Sequence, residues 1–178
     1  MSQATSVLEH PVITGLRGAV TGLDPAAVTV TWQLSDTEVE TALAGLLDLE
    51  ARAAALRGAL LREAETRDLT ARTQAMSVER WLGDRFRLSR ADAAARVREA
   101  ALLARHPQVQ TSLAQGTVTV EQATVTATVL DQVRLLPGLT ECDRAEAAAF
   151  LLEQCSALAP RDLARAGQAV LEALTHAP

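Results

Sequence analysis

The sequence contains no lysine and no tyrosine, and its aromatic residues are only Trp32, Trp81, Phe86 and Phe150. With so few rings, single-strand binding by base stacking is not expected. Cysteine is scarce too: Cys142 and Cys155 form no C-x-x-C pair and have no histidine nearby. Buried or partly buried free thiols are expected there, and no metal site. No uninterrupted apolar run approaches the ~18 residues of a membrane span, so no membrane partner is expected. The opening "MSQATSVLEH" has neither a basic segment nor a long apolar one, so no secretory signal is read and a cytoplasmic location is expected. Zincin, P-loop, dinucleotide-fingerprint and nucleophile-elbow motifs are all missing. The three histidines, His10, His106 and His176, are far apart. No cofactor, no catalytic residue and no enzymatic activity are read from this chain.

What is present is helical. The chain has 178 residues, 48% of them hydrophobic, with Ala and Leu dominant. That length suits one domain with a proper core, or at most two small ones. Ala, Leu, Arg and Glu favour helices, so the fold class is all-α. We expect a bundle-like domain of about seven helices with one long helix near its start. All 17 basic residues are arginine against 22 acids, giving a net charge of −5. This balance excludes a polyanion binder that uses its whole surface and leaves room for a local basic patch. The lysine-free usage looks like the coding bias of a GC-rich genome, so the choice of arginine says little about function.

Residues 1–34 are mixed. "VITGLRGAVTGL" can form a short amphipathic helix weakened by its glycines, and the β-branched "AVTVTW" can be extended. Organisation sharpens at Ser35, where "SDTE" is a capping box. Behind it Val39, Ala42, Leu46, Leu49, Ala53, Leu56 and Leu60 recur in threes and fours over three heptads. A helix from about Asp36 to Arg67 follows, with Asp48–Arg52 and Glu63–Arg67 each worth ~0.3 kcal/mol. It serves either as a scaffold helix within one subunit or as a dimerisation helix. In the second case the partner is a second copy of the chain, held by Leu46, Leu49, Leu56 and Leu60.

After the polar break "DLTARTQAM" come six further helices. Ser77 caps "VERWLGDRF", Ser89 opens a helix to about Arg105, and Pro107 begins "PQVQTSLAQ", which ends at Gly116. Thr119 then caps "VEQATVTATVLDQV" and Thr140 caps "ECDRAEAAAFLLEQCSAL". "APRDLARAGQAVLEAL" closes a single domain over 35–175, and 176–178 read as a linker start or chain end. The segment 107–133 has helix-turn-helix lengths. Its second helix, however, carries Glu121 and Asp131 and no arginine, so it reads as a packed helix and not a DNA reader.

The most basic stretch is "RFRLSRADAAARVREA". At 100° per residue from Arg90, Arg98 falls at about 80° and Arg105 at about 60°, on one face. Arg96 falls elsewhere, beside Asp92 and Glu99, and is expected to pair with them. Arg80, Arg85, Arg87, Arg90, Arg98 and Arg105 are therefore the candidate contacts to double-stranded DNA. The competing reading is a solvated face balanced by Glu79, Asp84 and acids of other helices.

The order of these elements resembles a known family, the domain of unknown function 222. The resemblance rests on Ser77 with Trp81 and Leu82, Leu88 with Ser89, Pro107, Gly116, and Thr119 with Gln122 and Ala123. It spans roughly residues 35–175. It implies a helical module of the kind found mostly in actinobacteria in front of an HNH endonuclease. The nuclease part of such proteins carries paired cysteine zinc ligands and a His-His…Asn…His site, and this chain has neither. The chain is then either a fragment of a longer nuclease or a stand-alone copy, and "THAP" at the end, which reads as the start of a linker, favours the fragment. Two functions remain open: a non-catalytic accessory module docking on DNA, and an assembly module with no DNA contact.

Overall fold

The computed structural model describes residues 10–71 and 76–176. Residues 1–9, part of the polar break and the last two residues lie outside these. Among the described residues there are nine helices and no strand, where about seven helices were expected. The excess arises at the N-terminus, whose two helices a reading from Ser35 onward leaves out.

The chain divides into two compact units, residues 1–44 and 45–178, with the boundary inside a helix. In the first unit α1 spans Pro11–Gly22, with Pro11 at its first turn and the His10 ring accepting from the Val12 amide. A 3-10 helix, Pro25–Gln33, follows, capped by Asp24. It includes the "AVTVTW" run expected to be extended. The Asp24 cap and Pro25 start a turn there, and among the described residues no strand exists for the β-branched residues to pair with. No described residue of this unit is buried.

The helix α2, Asp36–Thr66, begins in the first unit and ends in the second. Its capping box forms as expected: Glu38 Oε2 accepts from the Ser35 amide at 2.8 Å, and Ser35 Oγ accepts from the Glu38 amide at 3.4 Å. Both i,i+4 pairs form, Arg52 with Asp48 and Arg67 with Glu63. The buried face of α2 is not the leucine row, however. It is Ala51, Ala54, Ala55, Gly58, Leu61 and Ala64. Small side chains let neighbouring helices approach closely; Ala100 lies only 3.8 Å from where a Gly58 Cβ would be. Leu46 and Leu60 are left exposed, at 45% and 47%, and Leu49 and Leu56 are half-buried.

The second unit continues with α3 (Val78–Phe86), α4 (Arg90–Ala104), α5 (Pro107–Gln115), α6 (Val120–Leu135), α7 (Glu141–Gln154) and α8 (Pro160–Thr175). Helix α6 is its centre, packing against α4, α5, α7 and α8. Ala123, Thr126, Ala127 and Val133 on it are essentially inaccessible, as are Val109, Leu113, Leu151 and Leu163 around it. A recognition helix must offer a face to a groove; α6 is packed by four helices, and its one arginine, Arg134, lies in its last turn. Gln122 ties its start into the core. The Gln122 side chain accepts from the Thr119 amide at 3.0 Å and donates to the Cys155 and Leu158 carbonyls at 2.7 and 3.0 Å. One residue thus completes a capping box and satisfies the C-terminal end of α7. The family-like "T…QA" signature is, in this fold, a structural joint.

A smaller cluster of Leu61, Leu82, Ala93, Val97 and Ala100, with Val78, Trp81 and Leu88 against it, holds the α3–α4 pair to the end of α2. Cys155 is buried, and its burial pushes the thiol above its ordinary value. Cys142 is exposed, correcting the expectation that both thiols are covered: it sits on the first turn of α7, facing solvent. Among the described residues no helix is long and apolar enough to cross a membrane.

Candidate functional site

Helices α3 and α4 pack on one another through Leu82, Ala93 and Val97, which leaves their polar faces outward. Ser77 caps α3, its hydroxyl accepting from the Arg80 amide at 3.3 Å, and Ser89 caps α4, accepting from the Asp92 amide at 3.0 Å. The turn between them is tight. Arg87 closes α3 in the left-handed region, φ 56° and ψ 37°, and the Leu88 amide donates to the Gly83 carbonyl at 3.1 Å. A non-glycine residue there costs about 1–2 kcal/mol, so the arginine is held in a conformation glycine would adopt freely.

The arginines of this pair differ from those elsewhere. Outside it, Arg52, Arg57, Arg67, Arg105, Arg134, Arg144 and Arg165 each lie within 4.0 Å of a carboxylate, and Arg62 bonds to Gln110. Within it, Arg85, Arg87, Arg90, Arg96 and Arg98 have neither a carboxylate within 4.0 Å nor a side-chain hydrogen bond. Among the described arginines only Arg161 shares that state. Arg80 sits 3.5 Å from Asp84, both largely exposed, a contact worth little in water. Residues 77–100 carry six arginines against four acids in a chain that is acidic overall.

Two local acids are engaged within the fold. Asp92 accepts from the Ser89 hydroxyl at 2.8 Å, and Glu99 is taken by Arg57 of α2 at 2.7 Å. The expected pairing of Arg96 with Asp92 and Glu99 therefore does not form. A guanidinium from a neighbouring helix reaches Glu99, and the cap holds Asp92. Glu79 lies below the usual carboxylate range, mainly because the Ser77 hydroxyl and then its own backbone amide hydrogen-bond to it, with Arg98 adding its charge. Beside these groups a shallow cavity of about 610 Å³ runs between α3 and α4, lined by Glu79, Arg80, Asp84, Leu88 and Arg90 among others. The structure thus gathers Arg80 and Arg90 at one cavity and brings Arg98 toward Glu79 on its wall. Arg85 and Arg87 sit at the turn.

Arg105, expected on the same face, is committed elsewhere. It closes α4 and clasps Asp131 of α6, its Nε 3.0 and 3.1 Å from the two carboxylate oxygens. His106 Nε2 lies 2.9 Å from Asp131 Oδ1, and Arg134 approaches the same oxygen at 4.0 Å. Hydrogen bonds from the Arg105 guanidinium first, and then from the His106 ring, hold the Asp131 carboxyl down at about 2 against its ordinary 3.8.

This cluster borders a second cavity, about 520 Å³, that the sequence reading missed. The α4–α5 junction gives it Arg105, His106, Pro107 and Gln108; α6 gives Leu130, Val133 and Arg134; α7 gives Glu141, Arg144, Ala145 and Ala148. Arg144 Nε is buried there without a hydrogen-bond partner, an omission that costs about 1–3 kcal/mol. No local motif marks the cleft, because its residues come from positions 105 to 148 and meet only through helix packing.

Residues 25–177 match the family model described as Domain of unknown function (DUF222). No curated protein and no solved structure matches the chain.

Proposed function

The chain belongs to the DUF222 family, and on that premise we propose that it is a non-catalytic helical accessory module that docks on double-stranded DNA through the α3–α4 arginine face, in the service of an HNH nuclease module. One observation carries the reading: Arg85, Arg87, Arg90 and Arg98 are exposed and unclaimed by any carboxylate within 4.0 Å, whereas the arginines of the other helices are, Arg161 apart, engaged. Phosphate neutralisation supplies most of the affinity of such contacts, and arginine presents it in a bidentate fork. With no base-reading helix in a groove, the contact is to the backbone and indifferent to sequence. Replacing Arg90 and Arg98 together by Ala should weaken binding to a 20-base-pair duplex by about tenfold or more at low salt, while Arg161→Ala on α8 leaves it unchanged. Absence of binding at low salt, or equal losses in both variants, would overturn the docking reading.

A second reading keeps its place because of α2. Its leucine row, Leu46, Leu49, Leu56 and Leu60, is not used by the core, and its two outermost members are about half exposed. An assembly module would pair two copies through that row with no DNA contact. Sedimentation separates the two: a dimer lost on Leu46→Asp with Leu60→Asp supports assembly, and a monomer at high concentration excludes it.

A further inference from the structure

The cleft between the α4–α5 junction, α6 and α7 has the composition of a small-molecule site. Its volume, about 520 Å³, lies within the roughly 300–1,000 Å³ usual for such sites. Its apolar residues are Leu130, Val133, Ala145 and Ala148, and its cationic ones are Arg134 and Arg144, with Arg105 and His106 at the junction. Asp131 does not line the cleft. It stands behind Arg105 and His106, fixing both and spending its charge on them. Glu141 is the one acid on the wall; its side chain is 91% exposed and its Oε2 stays 3.6 Å from Arg144 Nη1, beyond a hydrogen bond. The buried Arg144 Nε has no acceptor at all. An arginine that lines the cleft, with an unbonded buried Nε and an Nη1 beyond hydrogen-bond distance of Glu141, has donor capacity to spare, since buried donors are otherwise satisfied.

We propose that this cleft binds a small organic anion, a phosphate or carboxylate head on an apolar body, with Arg144 and Arg134 taking the head and Pro107, Leu130, Ala145 and Ala148 covering the body. Duplex DNA is a poor occupant, because its backbone has no apolar portion to set against those residues. The site is independent of the α3–α4 face, and neither reading needs the other.

Phenyl phosphate and benzoate are suitable probes, with phenol and inorganic phosphate as the two halves. Titration of the whole chain, followed by calorimetry and by NMR shifts of the Ala145 and Ala148 amides, should show saturable binding of one or both aryl anions. Phenol and inorganic phosphate alone should bind more weakly. Arg144→Met should reduce aryl-anion affinity by at least about tenfold, the usual worth of a charge-assisted bond, with no fall in melting temperature. Arg85→Ala should change nothing. Which aryl anion binds better identifies the head group. The proposal is overturned if neither aryl anion binds saturably, if Arg144→Met binds as the parent does, or if Arg144→Met melts earlier, which would make the guanidinium a structural group. Arg134→Gln, at a more exposed position, provides the same comparison without touching the buried donor.

Discussion

Replacing Arg87 with Gly separates the two contributions of that residue. The backbone at Arg87 is left-handed, φ 56°, and both amides that close α3, those of Arg87 and Leu88, donate to the Gly83 carbonyl. Glycine keeps both bonds and removes the steric cost of about 1–2 kcal/mol, less about 0.5–1 kcal/mol for its greater freedom when unfolded. The net expectation is a gain of roughly 0.5–1 kcal/mol. At the roughly 2–4 °C per kcal/mol that holds for chains of this size, the melting temperature should rise by about 1–4 °C. The same substitution deletes one exposed guanidinium from the proposed docking face. Duplex affinity at low salt should therefore fall while stability rises, and the dependence of log affinity on log salt should flatten by about 0.9, the share of one phosphate. Thermal melting and fluorescence anisotropy at several salt concentrations read both effects. A lower melting temperature would mean that the side chain packs and the strain argument is wrong. A higher one with unchanged binding would remove Arg87 from the interface.

Other expectations test the frame around the two sites. Asp131→Asn should cost about 2 kcal/mol near neutral pH, from a carboxyl held at about 2 instead of 3.8. Because the folded value is the lower one, this stability is present above pH ~4 and is lost as the pH falls through ~2. The deficit of the variant in urea denaturation should vanish there, and a deficit that persists at low pH would mean another cause. Gly167→Ala would place a Cβ 2.5 Å from Val129 Cγ2, and overpacking of α6 against α8 should cost about 1–3 kcal/mol. Val129→Ala should restore much of that, and strict additivity of the two changes would refute the contact. Gln122→Ala removes both donors to the Cys155 and Leu158 carbonyls and should cost about 2 kcal/mol or more in denaturant; a neutral result would show that water replaces the amide.

The helical boundaries were legible because caps are local. Ser35, Ser77, Ser89, Thr119 and Thr140 each bond to an amide three residues on, and that spacing is visible in the chain itself. What failed depends on partners far away in sequence. Arg96 looked paired with Glu99 by helix spacing, yet Arg57, 42 residues earlier than Glu99, takes that acid. Arg105 looked like part of a basic face, yet Asp131, 26 residues later, holds it. The leucine row of α2 looked like its core stripe because leucine is the more hydrophobic residue. The alanine row won because the helices beside it pack close, and closeness is a property of two surfaces. The cleft around Arg144 was invisible for the same reason.

The central claim is that α3 and α4 present unclaimed arginines to DNA phosphates. The most direct measurement is the salt dependence of duplex binding by the whole chain, with and without Arg85, Arg87, Arg90 and Arg98 replaced by Ala. Four phosphate contacts predict a slope of log affinity against log salt of about −3.6 for the parent and near zero for the fourfold variant. A parent slope near zero, or one that the four substitutions leave unchanged, would contradict the account.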